Sequence, residues 1–273
     1  MGTLIQSTKS AWLYARVAVS LVIADRGLLL TDLILATATP FLAQAVVWTF
    51  IYNQSGNGSI QGLALSGTLF YFAFAIVMGR MNNGYGIIEG ISDALYSGRL
   101  EVLLIRPFSY PMQKLADFIG GSFVYMLPVS AVMIVHAIWL KGEVPLSDPL
   151  YFLGVMLLIF TSQILCFTIS FLIGLLSFKT VRADLVLALQ SVTSAFFGGI
   201  LLPPEFWPQT LRPIMEFNPY RFMIAAPAEV CVTKDWQLLF ASIGYSSCYS
   251  VLFAGFSWLL WKKLTKNYSS VGG

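Results

Sequence analysis

The sequence predicts an all-α membrane protein with six transmembrane helices, an N-terminal interfacial helix and a re-entrant outer hairpin between spans five and six. Of its 273 residues, 57% are apolar and only 11% are charged. Soluble domains carry about 25% charged residues, so a water-soluble fold of this size could not hide its apolar surface. Two further observations support the prediction: charge-free intervals of span length, and Lys and Arg residues concentrated at alternate ends of them.

The spans follow from the charge-free intervals. A helix needs about 20 mostly apolar residues to cross a hydrocarbon core of about 30 Å. No Asp, Glu, Lys or Arg occurs between Asp32 and Arg80, which leaves room for two spans on either side of the turn-forming residues 53–59. The predicted spans cover residues 29–52, 64–82, 118–139, 150–178, 185–202 and 237–261, and make residues 1–273 a single transmembrane domain.

The Lys and Arg residues predict the orientation, because cytoplasmic segments carry an excess of them. With the N-terminus inside, 12 of the 16 Lys and Arg residues fall in inner segments. The outer segments hold the other four, which are Lys141, Arg212, Arg221 and Lys234. We therefore expect a multi-pass protein of the cell inner (plasma) membrane with both termini in the cytoplasm.

Residues 9–26, which precede the first span, have two unlike helical faces. One face carries Lys9, Arg16 and Ser20, and the opposite face carries Tyr14, Ala18, Leu21 and Val22. This pattern is typical of a helix lying in the membrane interface. The alternative is a cytoplasmic extension of the first span. Asp32, at the inner edge of that span, is interpreted as interfacial.

Several kinds of chemistry have no motif in this sequence. It contains no G-x-x-x-x-G-K-[ST] loop for phosphate and no hydrolase motif. One His and three Cys without a C-x-x-C pattern provide no metal site. The span centres hold no ionisable residue, so transport driven by protons or sodium is poorly supported. Energy for any pumping must come from another protein.

The inner loop of residues 84–117 contains two short amphipathic stretches. Apolar residues recur at helical spacing in the first, namely Ile87, Ile88, Ile91 and Leu95. The second follows Gly98, a natural helix stop, and ends at Pro107. Such a loop, half apolar yet predicted to be cytoplasmic, has surface to bury against a partner. The alternative is that it packs on the inner ends of its own spans.

The outer residues 196–222 are too apolar for a solvated loop and too broken for a span. The prolines that interrupt this region are Pro203, Pro204, Pro208, Pro213, Pro219 and, further on, Pro227. We expect short helices that dip back into the membrane, where irregular backbone is tolerated only if protein or a water-filled cavity satisfies it. An ordinary loop with an interfacial helix is the alternative.

Together these features resemble a known family. An interfacial helix, six spans, the inner motif S-G-R-L-E-V-L-L-I-R-P at 97–107 and the outer motif G-G-I-L-L-P-P at 198–204 are similar to the permease subunits of type-2 ABC exporters. The outer motif continues with W-P, F-N-P-Y and a later Pro, and the resemblance covers nearly the whole chain.

The resemblance implies a half-transporter that is not an enzyme by itself. Two cytoplasmic ABC ATPase subunits would dock below a pair of permeases, the second being another copy of this chain or a similar one. ATP and Mg²⁺ would bind to the ATPase, and this chain would bind no cofactor. The function implied is outward transport of a hydrophobic or amphipathic molecule such as a drug, a natural product or a lipid-like compound. Two alternatives stay open: a permease for glycans or lipid-linked glycans, and a membrane scaffold that docks a cytoplasmic partner without transport.

The resemblance also suggests three groups of site residues. Coupling to the ATPase would involve Glu89, Asp93, Leu95, Arg99, Glu101, Leu103 and Arg106. The outer gate would consist of Pro203, Pro204, Phe206, Trp207 and Pro208. The translocation path would be lined by Thr37, Thr39, Gln44, Tyr71, Phe74, Gln190, Thr193 and Phe197.

Overall fold

A computed structural model describes residues 2–56, 58–60, 62–139, 148–180 and 183–266. Its helices are α1 Gly2–Ala24, α2 Arg26–Thr31, α3 Thr39–Ser55, α4 Leu65–Met81, α5 Tyr85–Tyr96, α6 Leu100–Leu104, α7 Tyr110–Phe123, α8 Met126–Trp139, α9 Pro149–Gly174, α10 Ala183–Phe197, α11 Arg212–Phe217, α12 Pro219–Met223, α13 Ala225–Thr233 and α14 Trp236–Lys266. A π-helix, Asp32–Ala38, joins α2 to α3, and 3-10 turns cover Leu175–Phe178 and Pro204–Phe206. The helical prediction is confirmed. The small exception is an antiparallel pair of two-residue strands, β1 Ser59–Ile60 and β2 Leu63–Ala64.

The six predicted spans all coincide with helices. Among the described residues, four helical stretches are long and apolar enough to cross a membrane: Arg26–Ser55, Tyr110–His136, Pro149–Phe178 and Trp236–Lys266. The second and fifth predicted spans correspond to α4, of 17 residues, and α10, of 15 residues. Since both are shorter than the roughly 20 residues of a full crossing, the count of six stays a prediction.

Two of the long stretches are interrupted next to prolines. Proline has no N–H, and its ring clashes with the carbonyl four residues earlier. The π-helix ends just before Pro40, which lies in the first turn of α3. The break between α7 and α8 at residues 124–125 precedes Pro128. The predicted third span is therefore a bent helix that begins earlier, at Tyr110.

The N-terminal helix α1 packs along α7. The two backbones are so close at Gly120 that a Cβ there would lie 2.3 Å from the carbonyl oxygen of Ala15. The helix extends beyond the predicted residues 9–26 at its start and ends at Ala24, because the Asp25 side chain accepts a hydrogen bond from the N–H of Leu28 and begins α2. Its location in the membrane interface stays a prediction.

The centre of the molecule is built from α4, α9 and residues 198–233, which we call the return segment. A large buried cluster joins Phe72 and Met78 of α4, Leu158 of α9, and Met223 and Ala226 of the return segment. The short helices of that segment continue past the predicted limit at residue 222 and end at Thr233. One end of the molecule consists of α5, α6 and the last turns of α9 and α14. We call it the α5–α6 end.

Candidate functional site

The return segment is a series of short helices held inside the protein by side chains of the long ones. Prolines lie in the first turns of α11 and α12 and in the 3-10 turn Pro204–Phe206, so no continuous helix can form. Carbonyls freed in this way must find other donors when they are buried. The donors and their acceptors are Tyr71 Oη to Gly199 O at 2.9 Å, Asn82 Nδ2 to Met223 O at 2.6 Å, Tyr151 Oη to Val230 O at 2.8 Å, Ser162 Oγ to Phe222 O at 2.7 Å and Tyr249 Oη to Phe217 O at 2.5 Å.

Gly199 begins this segment in a conformation that suits glycine. Its φ is +82°, in the left-handed region that side chains disfavour. A Cβ at this position would also lie 2.6 Å from the hydroxyl oxygen of Tyr71 and 2.9 Å from the Cβ of Ala225. The turn that leads out of α10 therefore needs glycine for two separate reasons.

A buried ion pair inside the return segment was not recognised in the sequence. Arg221 Nε donates to Glu229 Oε1 at 3.1 Å, and Nη2 forms a second bond to the same carboxylate. Glu229 is only 2% exposed, and Nη1 of Arg221 donates to Glu216 O at 2.9 Å. Arg221 was assigned to an outer segment by charge counting alone. The signal that could have identified the pair is a Glu and an Arg within an otherwise apolar, proline-broken stretch.

Glu205 is a second acidic residue near this pair. Burial, together with the negative charge of Glu229, raises the pKa of its carboxyl to about 7. Arg212 Nη2 donates to the backbone carbonyl of Glu205 at 2.8 Å rather than to its carboxylate. The return segment thus holds the side chains of Glu205, Arg221 and Glu229 in a mostly apolar environment.

The predicted gate residues lie in the first part of the return segment and pack on α3 and α10. Phe206 contacts Trp48 with ring centroids 4.7 Å apart, and Trp207 meets Phe196 edge-to-face at 5.1 Å. Pro203 and Pro204 are buried, whereas Pro208 is exposed. This part of the segment forms a plug between two helices, and its role as a gate stays a prediction.

The predicted path residues do not form one group. Tyr71 and Phe74 are buried in the core of the chain. The hydroxyls of Thr37, Thr39 and Thr193 donate to carbonyls of their own helical stretches, Gln44 accepts a hydrogen bond from Trp48, and Phe197 packs on Phe196. Gln190 differs, because it lines a cavity of about 310 Å³. A shared path for these residues stays a prediction.

The cavity next to Gln190 lies between α3, α4, α5 and α10. Its polar lining comes from Arg80, Asn82, Asn83, Gln190, Ser191 and Ser194, and Tyr85 at the start of α5 forms part of the wall. Gln190 Nε2 donates to Ser170 Oγ at 3.3 Å, and its carbonyl accepts from Tyr220 Oη at 3.4 Å. The cavity therefore joins the first turn of α5 to the helix that leads into the return segment.

The apolar face of α5 is buried within this chain. Ile87, Ile91 and Ala94 form a cluster with Phe167, Phe171 and Leu175 at the end of α9. The predicted helical spacing of the apolar residues is confirmed, but their expected contact with a partner is not what this chain shows. They pack on the ends of helices of the same chain, as in the alternative stated above, because the last turns of α9 and α14 offer an aromatic surface there.

The face of α5 and α6 that points away from the rest of the chain is accessible to solvent. Glu89, Asp93, Arg99, Glu101 and Arg106 are exposed, and Arg99 forms an ion pair with Asp93. Leu95 and Leu103 are half-buried against the cluster that α5 forms with the end of α9. Exposed apolar side chains occur instead at Val102 and at Ile105, which is 83% exposed. The accessible surface of the α5–α6 segment is thus charged with a small apolar tip.

Comparison with known proteins gave one informative match, to a protein family. No curated protein matches the chain. The family model described as ABC-2 family transporter protein matches residues 38–272, which includes α3, the α5–α6 segment, the return segment and α14. Since this match covers most of the sequence, the chain belongs to the ABC-2 family of transporter proteins and is the transmembrane permease component of an ABC transporter.

Proposed function

We propose that this permease exports a hydrophobic or amphipathic molecule, powered by two separate ATPase subunits that dock on the α5–α6 segment. The observation that carries the proposal is the position of the 310 Å³ cavity directly against the first turn of α5. Any displacement of α5 must change the shape of this cavity, because Gly84 and Tyr85 are part of its wall.

The packing of α5 supports transmission of motion over a longer distance. Its buried face contacts α9, and α9 in turn packs along α14. Protein interiors are close-packed and transmit displacement rather than absorbing it. A push on the exposed face of α5 and α6 therefore moves α9 and α14 together, and these helices carry three of the donors that hold the return segment.

The return segment is suited to open and close the far side of the cavity. Tyr220 of α12 contacts Gln190 in the cavity wall, and Phe206 packs against Trp48 at the other end of the segment. In the proposed cycle, ATP binding shifts α5 and α10, and the plug formed by residues 203–208 moves away from α3. Export then releases the cargo past this plug.

The cavity lining favours an amphipathic cargo. Amide and hydroxyl groups of Asn83, Gln190 and Ser194 occur beside the apolar side chains of Ile76, Leu187 and Ile200. Binding sites of this mixed kind fix a ligand by a few polar contacts within an apolar surface. The small volume suits a compact molecule better than a glycan chain.

Docking is tested by placing a charge on the exposed apolar tip. In the complex with its ATPase, Ile105→Glu should abolish co-purification of the ATPase and vanadate-sensitive ATP hydrolysis, with the monodisperse permease retained. Met112→Glu is the matched control, since Met112 is also an exposed apolar residue at this end but lies in α7, beyond the α5–α6 segment. Normal ATPase binding by Ile105→Glu would reject docking at this site.

The orientation of the chain in the membrane needs a separate test. The Cys248→Ser background removes the exposed native thiol while Cys166 and Cys231 stay buried. A cysteine at Ser55 should react with a membrane-impermeant reagent on intact cells, and one at Ser97 should react only after permeabilisation. The reverse pattern would overturn the orientation, whereas a chain that binds no ATPase would favour a scaffold role over transport.

A further inference from the structure

A second cavity, of about 600 Å³, lies between α1, α2, the π-helix, α4 and the start of α8. Its polar lining consists of Asp25, Thr31, Asp32, Arg80 and Tyr125. The rest is aliphatic and includes Leu21, Leu28 and Leu35. A polar floor with aliphatic walls is the lining expected for one molecule with a charged head and a hydrocarbon tail.

The polar floor is organised around Asp32. Arg80 Nε donates to Asp32 Oδ2 at 3.3 Å, and Nη2 of Arg80 forms an ion pair with Oδ1. The hydroxyl of Tyr125 donates to Asp32 Oδ2 at 2.7 Å. These bonds engage two of the five N–H donors of the guanidinium. Arg80 is thereby fixed in place by Asp32 while its remaining donors stay suitable for an anionic oxygen.

The charges of the floor do not cancel. Asp32 is balanced by Arg80, whereas Asp25 forms no ion pair within the part of the chain that the structure describes. One oxygen of Asp25 accepts the N–H of Leu28 at 3.0 Å and caps α2. Two carboxylates and one guanidinium give the floor a formal charge of −1. It therefore complements a head that carries an ammonium group as well as a phosphate.

The aliphatic wall continues out of the cavity as a stripe. Leu21, Leu28 and Leu35 follow one another at intervals of seven residues and are 67%, 68% and 63% exposed. All three line the same cavity, so they lie on one side of the chain although Leu21 is in α1, Leu28 in α2 and Leu35 in the π-helix. On a multi-pass membrane protein, such a stripe is available to the acyl chains of the bilayer.

We propose that this cavity binds a zwitterionic phospholipid with a primary ammonium head group. The ammonium binds the carboxylate of Asp25, the phosphate binds Arg80, and an acyl chain lies along the stripe of Leu21, Leu28 and Leu35. Anionic phospholipids are disfavoured by the negative floor, and a choline head group has no N–H to donate to Asp25. This lipid site is independent of the transport proposal.

The test uses the full-length permease, delipidated in mild detergent. Dioleoyl-phosphatidylethanolamine, -phosphatidylcholine and -phosphatidylglycerol are titrated in turn, and bound lipid is counted by native mass spectrometry. We expect the ethanolamine lipid to bind about fivefold more tightly than the other two, the size expected for one partly exposed charge pair. Equal binding of the three lipids, or preference for phosphatidylglycerol, would overturn the proposal.

Two variants locate the site. Asp25→Asn keeps the helix cap, because Asn caps as well as Asp, but removes the charge, so the preference for ethanolamine should disappear. Asp148→Asn is the control, since Asp148 is also an exposed acid that caps the N-terminus of a helix, α9, and does not line this cavity. Leu28→Gln should weaken the binding of all three lipids while leaving the order of their affinities unchanged. An unaltered preference in Asp25→Asn would show that the lipid binds elsewhere.

Discussion

The hydroxyl of Tyr71 donates a hydrogen bond to the carbonyl oxygen of Gly199 across 128 residues of sequence. This contact joins the middle of α4 to the turn where α10 ends and the return segment begins. It is the first of the side-chain bonds that replace the missing helical hydrogen bonds of this proline-rich stretch. The predictions below follow from this bond, from the charges nearby and from the packing of α1.

Tyr71→Phe should destabilise the permease by about 1–3 kcal/mol, because it leaves a buried carbonyl without a donor. Thermal unfolding in detergent measures the change. Tyr85→Phe is the control, since Tyr85 is an exposed tyrosine, 44% accessible to solvent. Equal melting temperatures for the two variants would show that the bond to Gly199 does not stabilise the fold.

Gly199→Ala should lower the free energy of unfolding more than Gly56→Ala does. Both glycines have positive φ, so both variants incur backbone strain of about 1–2 kcal/mol. The new methyl group at Gly56 meets nothing within 4 Å, whereas at Gly199 it lies 2.6 Å from the Tyr71 oxygen. The difference between the two unfolding free energies therefore measures the steric contact. The double variant Gly199→Ala/Tyr71→Phe should lose less stability than the sum of the two single variants, because removing the hydroxyl relieves this contact.

Arg221→Met alone should destabilise the protein by about 3–5 kcal/mol, because Glu229 is then a buried carboxylate without its partner. The double variant Arg221→Met/Glu229→Leu should recover a large share of that loss. The exposed pair Arg99 and Asp93 serves as the comparison, where Arg99→Met should cost about 0–1 kcal/mol. Additive losses at Arg221 and Glu229 would contradict the coupling.

Glu205→Gln should change how stability depends on pH. An unfolded Glu loses its proton near its ordinary pKa of 4.5, but the buried Glu205 holds its proton up to about 7. Stability of the natural protein therefore falls as pH rises from about 4.5 to 7 and levels off above. The Gln variant lacks this fall and should be more stable at pH 8 by about 1–3 kcal/mol. Melting curves of the variant, the natural protein and the exposed-site control Glu89→Gln at pH 5 and pH 8 test this.

Gly120→Ala should separate α1 from α7, since the added Cβ would lie 2.3 Å from the carbonyl oxygen of Ala15. Gly121→Ala is a control one residue away, where the nearest side-chain atom lies at 4.0 Å. Limited proteolysis within α1 should become faster in the first variant and stay unchanged in the second. Identical cleavage rates would mean that the close approach at Gly120 does not hold α1.

The candidate site was only partly predictable from the sequence. The prolines and apolar residues after residue 196 correctly indicated short helices, because proline acts through its own backbone geometry. The ion pair of Arg221 with Glu229 was missed, since charge counting treats each residue by its position along the chain. Leu95 and Leu103 lie half-buried beside the ends of α9 and α14, which no local pattern reveals, and their contact with an ATPase stays a prediction.

By itself, the sequence determined the membrane class, most of the helices and the breaks of the proline-rich return segment. Hydrophobicity, charge spacing and proline geometry act within a few residues of one another, so they can be read along the chain. The tertiary structure alone decided which side chains satisfy the return segment, which face of α5 stays accessible and how Asp32 meets Arg80. These relationships join residues that are far apart in sequence, and they depend on which helices pack together, because burial and hydrogen bonding are properties of the assembled surfaces.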